Sequence, residues 1–538
     1  MNTVRDHSGP SGGVLRSSLS VALGTALSRL TGLVRLAAMA YALGFTRLTD
    51  TYNLANTTPN IVYELLLGGV LSATLVPVFV EHRDRGDDDA TSAVVTVAGV
   101  VLLALTVVGV LAAPAIVRLY TFRVPGATGS AQQEVATNLL RLFMPQMLFY
   151  GLTAVATALL HAHRRFAAPA FSPVLNNVVV AAVFLALPYL AGQTPTLSDV
   201  QHHTGLLLLL GVGTTAGIVV MTLPLLPALR RAGVRLRPVL DWRHPAVRKV
   251  VALSGWTAGY VASNQLALWV ALVLANGTAG GVSAYQGAYV FFQLPHGLVA
   301  VSLMTTLVPE LAAAAGRADM TDFRRHVSLG VRFMTLVILP AAAGYLVMAR
   351  PVIGLLLERG ALSGGSASLT ADCVAAFAIG LLPFSLYLFA LRGFYAFHDT
   401  RTPFFLNLFE NGANVVLAFA LEPWLGVPGL ALAFALAYMV AAVVAFRSLS
   451  RRTAGLFHRD VVARLVRIGL AAVVMTVAVR LALDLLPADT AAAMSVAVGV
   501  IVGVAVYGLA LVVFRVREVA ELLGRRRARH SGLRPSGG

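Results

Sequence analysis

Apolar residues run through this chain in long stretches that short polar segments separate. Stretches of about 18 or more residues recur from Leu15 to Phe514, and each is long enough for the roughly 20 residues that a membrane-spanning helix needs. The pattern predicts an all-α polytopic membrane protein of about fourteen spans, at 15–43, 54–80, 91–117, 136–160, 171–191, 204–229, 247–275, 283–311, 327–349, 371–395, 403–421, 426–446, 461–486 and 491–514.

Composition agrees with a membrane environment. Hydrophobic residues make up 57% of the 538 residues and charged residues only 12%, against roughly 25% charged in soluble domains. The polar start, Met1 to Gly12, has no cleavable signal pattern, so the first span is expected to stay as its own insertion signal. The single cysteine, Cys373, excludes an intramolecular disulfide and a thiolate metal cluster.

The net charge of +17 lies mainly in alternate loops. Of the 41 Lys and Arg residues, 30 fall in one set of alternate segments or at the span ends that adjoin them, 5 in the other set and 6 deeper inside spans. The positive-inside rule therefore predicts that both termini, the 1–14 tail and the basic 515–538 tail, lie in the cytoplasm. The basic run from Gly524 to His530 fits anionic lipid headgroups, and nucleic-acid binding is the alternative interpretation.

Two short motifs occur twice. The segment Thr74 to Pro77 returns as Thr306 to Pro309, and the turn His163–Phe171 resembles His398–Phe405, where the two motif prolines correspond. The offset along the chain is nearly the same for both motifs, which indicates a duplicated six-helix unit. We therefore predict parallel lobes at 15–232 and 233–457, with the substrate path between them, and two further spans in 458–514.

Enzymatic motifs are absent from the sequence: there is no P-loop, no GxSxG, no HExxH and no paired metal-ligand spacing. We expect no enzymatic activity, no cofactor and no metal.

Two arginines lie inside the first span, where a guanidinium costs roughly 2.5 to 3.5 kcal/mol unless it faces protein or water. In one interpretation Arg29 and Arg35 face an aqueous cavity and bind diphosphate oxygens through their planar forks. In the other, Arg29 pairs with Glu64 and Arg35 extends to the interface. Gly24 and Gly32 offer a place for the helix to bend.

Three positions near the second span are further candidates. Glu64 is a gate partner, a cation site or a structural counter-ion, and Pro59-Asn60 is expected to interrupt the helix and expose backbone to a cavity. Asp50 is either the N-cap of the second helix or a gate or ion-coupling residue.

The other charges in or near spans are assigned to structure. Arg392 and Glu410 are expected to pair across the turn between the tenth and eleventh spans, and the remaining members are Arg141, Arg332 and Arg480.

The run Leu27 to Arg35, with Thr49-Asp50, Pro59-Asn60 and Leu75 to Pro77, resembles the MurJ/MviN family of lipid II flippases in the MOP exporter superfamily. The turn from Gly393 to Pro403 adds a matching motif in the other half. The stretch Tyr63 to Leu71 is most similar to actinobacterial members, and one Lys against 40 Arg fits a high-GC genome.

This resemblance implies a V-shaped, MATE-like transporter that moves lipid II to the outer leaflet by alternating access, coupled to membrane potential or to a monovalent ion. By the resemblance, the protein lies in the bacterial inner membrane, Arg29 and Arg35 contact the diphosphate and sugars, and the last two spans guide the polyprenyl chain. Asn60 and Tyr63 are further candidates for substrate binding. Cell-wall synthesis proteins are the expected partners.

Several positions depart from the family pattern. Leu36 and Tyr63 replace an Asp and an Arg, and Gly68 aligns with a gate glutamate. The eighth-span region has Tyr289, Val290 and Gln293 where an Asp, an Arg and a Glu are usual. Alternative functions are export of another polyprenyl-diphosphate glycan, export of a small anionic or drug substrate, and a non-transporting cell-wall scaffold.

Overall fold

A computed structural model describes residues 11–65, 75–362, 364–453, 455–456, 459–487 and 490–516. All regular structure in these ranges is helical. Thirteen helical segments among the described residues are long and apolar enough to cross a membrane, which confirms the predicted all-α polytopic fold. The predicted second span is represented by a helix on each side of residues 66–74, which lie outside the described ranges.

The chain divides into two compact units, and each is described separately. The first comprises Met1–Ser283 with Arg359–Ser366, and the second Ala284–Glu358 with Ala367–Gly538. The first unit contains α1 (Ser11–Leu43), α2 (Arg47–Leu65), α3 (Val76–Arg85), α4 (Asp88–Thr121), α5 (Gly126–Phe143), α6 (Gln146–Ala162), α7 (Ala167–Ala191), α8 (Leu197–His202), α9 (Thr204–Thr222), α10 (Leu225–Arg231) and α11 (Pro245–Ala275).

The second unit begins within the first turn of α12. Its helices are α12 (Gly281–Pro295), continued by a π-helical turn (His296–Ala300), then α13 (Val301–Gly316), α14 (Met320–Leu356), α15 (Gly364–Ala396), α16 (Arg401–Leu425), α17 (Val427–Arg452), α18 (Arg459–Asp484) and α19 (Ala492–Val513). The division groups α11 with the first unit, whereas the repeat predicts it in the second lobe. The lobe boundaries therefore stay a prediction.

The turns after α6 and α15 share one backbone geometry. Arg164 and His398, which the repeated turn motif aligns, both adopt positive φ, at 57° and 56°. The next backbone N–H reaches back to the equivalent carbonyl in each turn, from Arg165 to Leu160 and from Asp399 to Phe394. The helices that follow, α7 and α16, keep the offset of this motif at both their starts and their ends. Repeated backbone geometry at the predicted offset supports the duplication.

The turns before α4 and α14 match in the same way. The Asp87 carboxylate accepts a hydrogen bond from the Ala90 N–H, and the Asp319 carboxylate accepts one from the Asp322 N–H. Each acid caps its helix and satisfies an N–H that would otherwise have no partner. Both pairs of positions have the offset of the first repeated motif.

An ion pair joins α3 to α11 within the first unit. The Lys249 Nζ lies 2.6 Å from a Glu81 carboxylate oxygen, and this hydrogen bond lowers the pKa of Glu81 below its usual range. Both side chains are at least one third exposed, so the pair contributes little to stability.

Small residues set the closest approach of α1 to α7. A Cβ added at Gly24 would lie 2.7 Å from the Ala170 Cβ and 2.9 Å from the Ala170 backbone. Gly24 therefore allows two helices to touch, as small residues do between membrane helices. α1 is a single helix through both Gly24 and Gly32.

The expectation that Pro59-Asn60 interrupts the second helix is wrong. α2 runs from Arg47 to Leu65 with Pro59 inside it. A proline removes only one N–H donor from the ladder, and membrane helices tolerate that loss where neighbouring groups compensate.

Candidate functional site

The two first-span arginines lie on α1 without an ion pair to any described residue. Arg29 is exposed and Arg35 partly exposed. Arg29 interacts electrostatically with Glu64 and Arg35 with Tyr52, in both cases beyond ion-pair contact. The alternative in which Arg29 forms a salt bridge with Glu64 therefore does not hold in this conformation. Each guanidinium group has several N–H donors, and none of them forms an ion pair with a described residue.

α7 fixes the segment of α1 that carries Arg29. The side-chain amide of Asn177 donates to the Ser28 carbonyl and to the Thr31 hydroxyl, each at 3.1 Å. The Thr31 hydroxyl donates in turn to the Leu27 carbonyl. Together with the close contact at Gly24, these hydrogen bonds fix the position of the α1 backbone from which the arginine side chains extend.

The second-helix candidates are only partly defined. Glu64 is exposed, and Asn60 accepts a 2.7 Å hydrogen bond from the Tyr150 hydroxyl of α6. Asn60 is thus tied to a neighbouring helix. The Tyr63 side chain and Gly68 lie outside the described residues.

Asp50 does not cap its own helix. It lies in the first turn of α2, is fully buried, and its carboxylate accepts hydrogen bonds from the Gly280 N–H (2.6 Å), the Ser283 N–H (2.9 Å) and the Ser283 hydroxyl (2.8 Å). The N-cap expectation for α2 is therefore wrong. Asp50 caps the start of α12 instead, where free N–H groups and the helix dipole favour an anion.

Arg47 and Asn276 form a second contact beside Asp50. An Arg47 Nη donates to the backbone and side-chain oxygens of Asn276, at 2.5 and 3.1 Å. The Asn276 side chain also accepts from Gln132 and donates to the Tyr120 carbonyl. We call Arg47, Asp50, Asn276, Gly280 and Ser283 the Asp50 network. It links the start of α2 to the connection between α11 and α12.

The connection between α14 and α15 meets the same end of the first unit. The Ala361 N–H donates to the Tyr41 carbonyl at 2.8 Å, and the Ser366 hydroxyl to the Phe45 carbonyl at 3.1 Å. The arginine distribution predicts that all these connections face outward. Backbone and buried polar contacts therefore hold these connections together at the predicted outward end of the first unit.

The match to a known family covers most of the chain. A family model described as lipid II flippase MurJ matches residues 39–497. The chain belongs to the lipid II flippase MurJ family.

Relatives and solved structures agree with this membership. A probable lipid II flippase MurJ of Rhizobium meliloti is 32% identical over 480 residues, which are 87% of each chain. The lipid II flippase MurJ of Burkholderia cenocepacia is 29% identical over 82% of this chain and 84% of its own.

Two solved structures share the fold. A lipid II flippase MurJ in an inward closed conformation has a TM-score of 0.78 at 20% identity, over 94% of this chain and all of that one. An inward-facing multidrug resistance MATE transporter of the MOP superfamily has a TM-score of 0.66 at 14% identity, over 80% of this chain and 98% of its own.

In the second unit, Tyr289, where the resemblance led us to expect a charged residue, belongs to an aromatic cluster. Tyr289 accepts a hydrogen bond from Gln293 at 2.6 Å and stacks on Phe292 with ring centroids 5.6 Å apart. The cluster comprises Tyr285, Tyr289, Phe292, Phe377, Phe384, Phe434 and Tyr438. Tyr289 and Gln293, two positions where the resemblance led us to expect charges, thus bond to each other.

The predicted pair of Arg392 and Glu410 does not form. Arg392 is exposed and lies over the Tyr395 ring, 5.9 Å from its centroid. Glu410 is 1% exposed on α16 and makes no ion pair with a described residue. The expectation was wrong because Glu410 lies on the buried face of its helix.

A cavity of about 410 Å³ lies in the second unit between α14, α15, α18 and α19. Aliphatic side chains line it together with Arg350, Asp372 and Arg480. Arg480 pairs with Asp484 at 3.0 Å, and Arg350 lies 3.8 Å from Asp372. The last two helices therefore border a cavity that has both apolar and charged walls.

Proposed function

We propose that this membrane protein translocates lipid II from the cytoplasmic to the outer leaflet by alternating access. The observation that carries the proposal is the pair of arginines on α1, which have no ion-pair partner among the described residues. A cation kept at membrane depth without a structural partner is stabilised when an anionic ligand arrives.

The diphosphate of lipid II supplies that anion. A guanidinium presents two parallel N–H donors that match phosphate oxygens, and such charge-assisted bonds are short and strong. Arg29 and Arg35 are the proposed diphosphate and sugar contacts, and Asn60 and Tyr63 the proposed further contacts on α2.

The Asp50 network is proposed as the closing contact at the outward end. In this proposal α12 moves away from α2 when this end opens, so the two backbone N–H groups at the start of α12 lose the Asp50 carboxylate. Each buried group left without a partner costs about 1 to 3 kcal/mol, so the network favours the closed arrangement until substrate binding offsets that loss. Glu64, in electrostatic range of Arg29, is the proposed gate or ion-coupling residue.

The last two helices are proposed to guide the polyprenyl chain. α18 and α19 pack against α14, where the Tyr507 hydroxyl donates to the Leu336 carbonyl at 2.8 Å. The cavity beside them has aliphatic walls suited to a lipid and arginines suited to its phosphate. In this proposal both termini are cytoplasmic, and a monovalent ion and cell-wall synthesis proteins are the further partners.

Depletion and complementation test the function and the two arginines together. In a depleted strain, lipid II is expected to accumulate in the inner leaflet, and the wild-type gene is expected to reverse this. Arg29→Ala and Arg35→Ala remove a contact of about 1.5 to 3 kcal/mol, so both should fail to complement at unchanged protein abundance. Arg29→Lys should restore only part of the activity, since an ammonium keeps the charge and loses the fork.

The exposed Arg392, which pairs with no acid among the described residues, provides the matched control, and Arg392→Ala should complement. Unchanged lipid II distribution on depletion would favour an exporter of another substrate or a scaffold. Loss of protein abundance with both alanine variants would instead assign the arginines to structure.

A further inference from the structure

α16 carries a stripe of buried polar side chains. Asn407, Glu410, Asn411 and Asn414 recur at spacings of three and four positions, which places them on one helix face. All four are buried, with Asn407 at 0% and Glu410 at 1% exposure. An ionisable residue such as Glu410, buried within a membrane span, is a functional-site hypothesis by default.

The Glu410 carboxyl group lacks the partners that a buried charge needs. Neither carboxyl oxygen has a hydrogen bond of good geometry, although the Tyr438 hydroxyl of α17 approaches the group. An isolated ionised carboxylate in a low-dielectric interior costs far more than a neutral acid, and such groups neutralise instead. The site therefore favours the neutral, protonated acid over the carboxylate.

The surroundings of Glu410 supply no positive charge from the described residues. The titratable groups that interact with it are Tyr438 on α17 and Tyr285 on α12, and both belong to the aromatic cluster. The Cys373 thiol of α15 interacts with Tyr285 in turn. No described arginine, lysine or histidine forms an ion pair with Glu410, so no basic side chain among the described residues neutralises a carboxylate there.

The duplication indicates that the fold does not require an acid at this place. α7 and α16 are equivalent helices of the repeat, so Glu410 corresponds to Asn176 and Asn411 to Asn177. Asn176 is 8% exposed, so the first unit buries a neutral amide where the second buries a carboxyl group. The feature peculiar to the second unit is the ability to ionise.

We propose that Glu410 is a proton-binding site of the second unit, and that uptake and release of its proton accompany transport. On uptake, one proton joins one carboxylate oxygen and gives the neutral acid that this conformation buries. On release, the proton passes to water, and the carboxylate is stable only where water or a donor reaches it. This inference rests on the proposed transport function and names the ion that would be coupled to it.

The proton itself is the first probe. Infrared difference spectra of the full-length protein in lipid nanodiscs, recorded across a pH titration, should contain the C=O band of a protonated carboxylic acid. Glu410→Gln should lose that band, and Glu422→Gln should keep it. Glu422 is the matched control because it lies on the same helix, three turns away and partly exposed.

Transport in proteoliposomes provides the second readout. The wild-type rate should change by up to about tenfold per pH unit where one group titrates, whereas the Glu410→Gln rate should change less than about twofold across the same range. A wild-type protein that moves no lipid II would overturn the function proposed above, while the infrared band would still report the proton site.

Several results would overturn the proton site. One is an identical pH profile for wild type and Glu410→Gln. Another is an unchanged carboxylic band in Glu410→Gln. A third is thermal stabilisation of the wild type, but not of Glu410→Gln, by sodium chloride relative to choline chloride, because the site would then hold a metal cation. If Glu410→Gln does not accumulate, two other variants replace it. Glu410→Asn copies the residue at Asn176, and Glu410→Asp should shift the infrared band.

Discussion

The Asp50 side chain determines whether the backbone N–H groups at the start of α12 have a hydrogen-bond acceptor. Its carboxylate serves two backbone N–H groups and one hydroxyl. Asp50→Asn places an NH₂ group against one of these donors, so at least one buried N–H loses its acceptor. We expect a loss of about 1 to 3 kcal/mol in stability, measured as a lower melting temperature of the purified full-length protein.

Ser283→Ala provides the comparison for this prediction. It removes the hydroxyl and leaves both backbone N–H groups bonded to Asp50, so a smaller loss of about 1 kcal/mol is expected. A melting temperature for Ser283→Ala below that of Asp50→Asn would contradict the role assigned to the backbone donors.

Several residues behaved differently from their sequence predictions for physical reasons. The hydrogen-bond partners of Asp50 are Gly280, just before α12, and Ser283, in its first turn. Both are far from Asp50 in the sequence, so no local pattern could identify them. The local signal for an N-cap therefore led to the wrong prediction. The predicted pairing of Arg392 with Glu410 rested on the assumption that opposite charges on the two sides of a turn form an ion pair. The spacing of polar residues along α16 could have predicted that Glu410 is buried, because Glu410 shares a helix face with three asparagines.

Among the helices, the contact of α1 with α7 predicts that one glycine substitution lowers the stability of the protein, whereas a control substitution in α4 raises it. Gly24→Ala brings a Cβ within 3 Å of the Ala170 backbone, which cannot move without shifting α7, and overpacking of this kind costs about 1 to 3 kcal/mol. Gly99→Ala in α4 meets nothing within 4 Å and should gain up to about 1 kcal/mol of helix propensity. Melting temperatures should move in opposite directions, and a common direction would refute the close-contact role of Gly24.

Helix existence and repetition were largely predictable, whereas helix continuity was not. Length and hydropathy identified the spans, and the motif at His163 and His398 located a turn that recurs with nearly equal φ values in both units. The predicted break at Pro59 failed because one lost hydrogen bond does not end a helix. The candidate arginines were predictable because a charge inside an apolar run stands out, but the absence of an ion pair with any described residue required coordinates.

Removal of the last two helices tests their proposed lipid role. Truncation after Arg459 deletes α18 and α19, which share an apolar cluster with α14 through Leu336, Ile468, Ala471, Ala510 and Leu511. In a membrane, lipid can cover the exposed face of α14, because acyl chains are as apolar as these side chains. We expect the truncated protein to accumulate and to lose complementation. Complementation at the wild-type level would exclude a required role in transport.

For the molecule as a whole, the arginine bias predicts the orientation of every connection. In a Cys373→Ser background, Pro238→Cys lies in an exposed connection on the predicted cytoplasmic side and Gln193→Cys in one on the outer side. An impermeant thiol reagent should label Gln193→Cys in intact cells and should label Pro238→Cys only after permeabilisation. The reverse pattern would invert the topology and place the Asp50 network at the cytoplasmic end.

Lys249, which pairs with Glu81 at the start of α11, is the only lysine in the chain. A protease specific for lysine therefore has a single cleavage site, and it lies shortly after the predicted boundary between the lobes. Digestion would divide the protein into one fragment with the first copy of the duplicated sequence and one with the second. Whether the nicked protein still migrates as one particle would measure how strongly the two copies hold together without their covalent link.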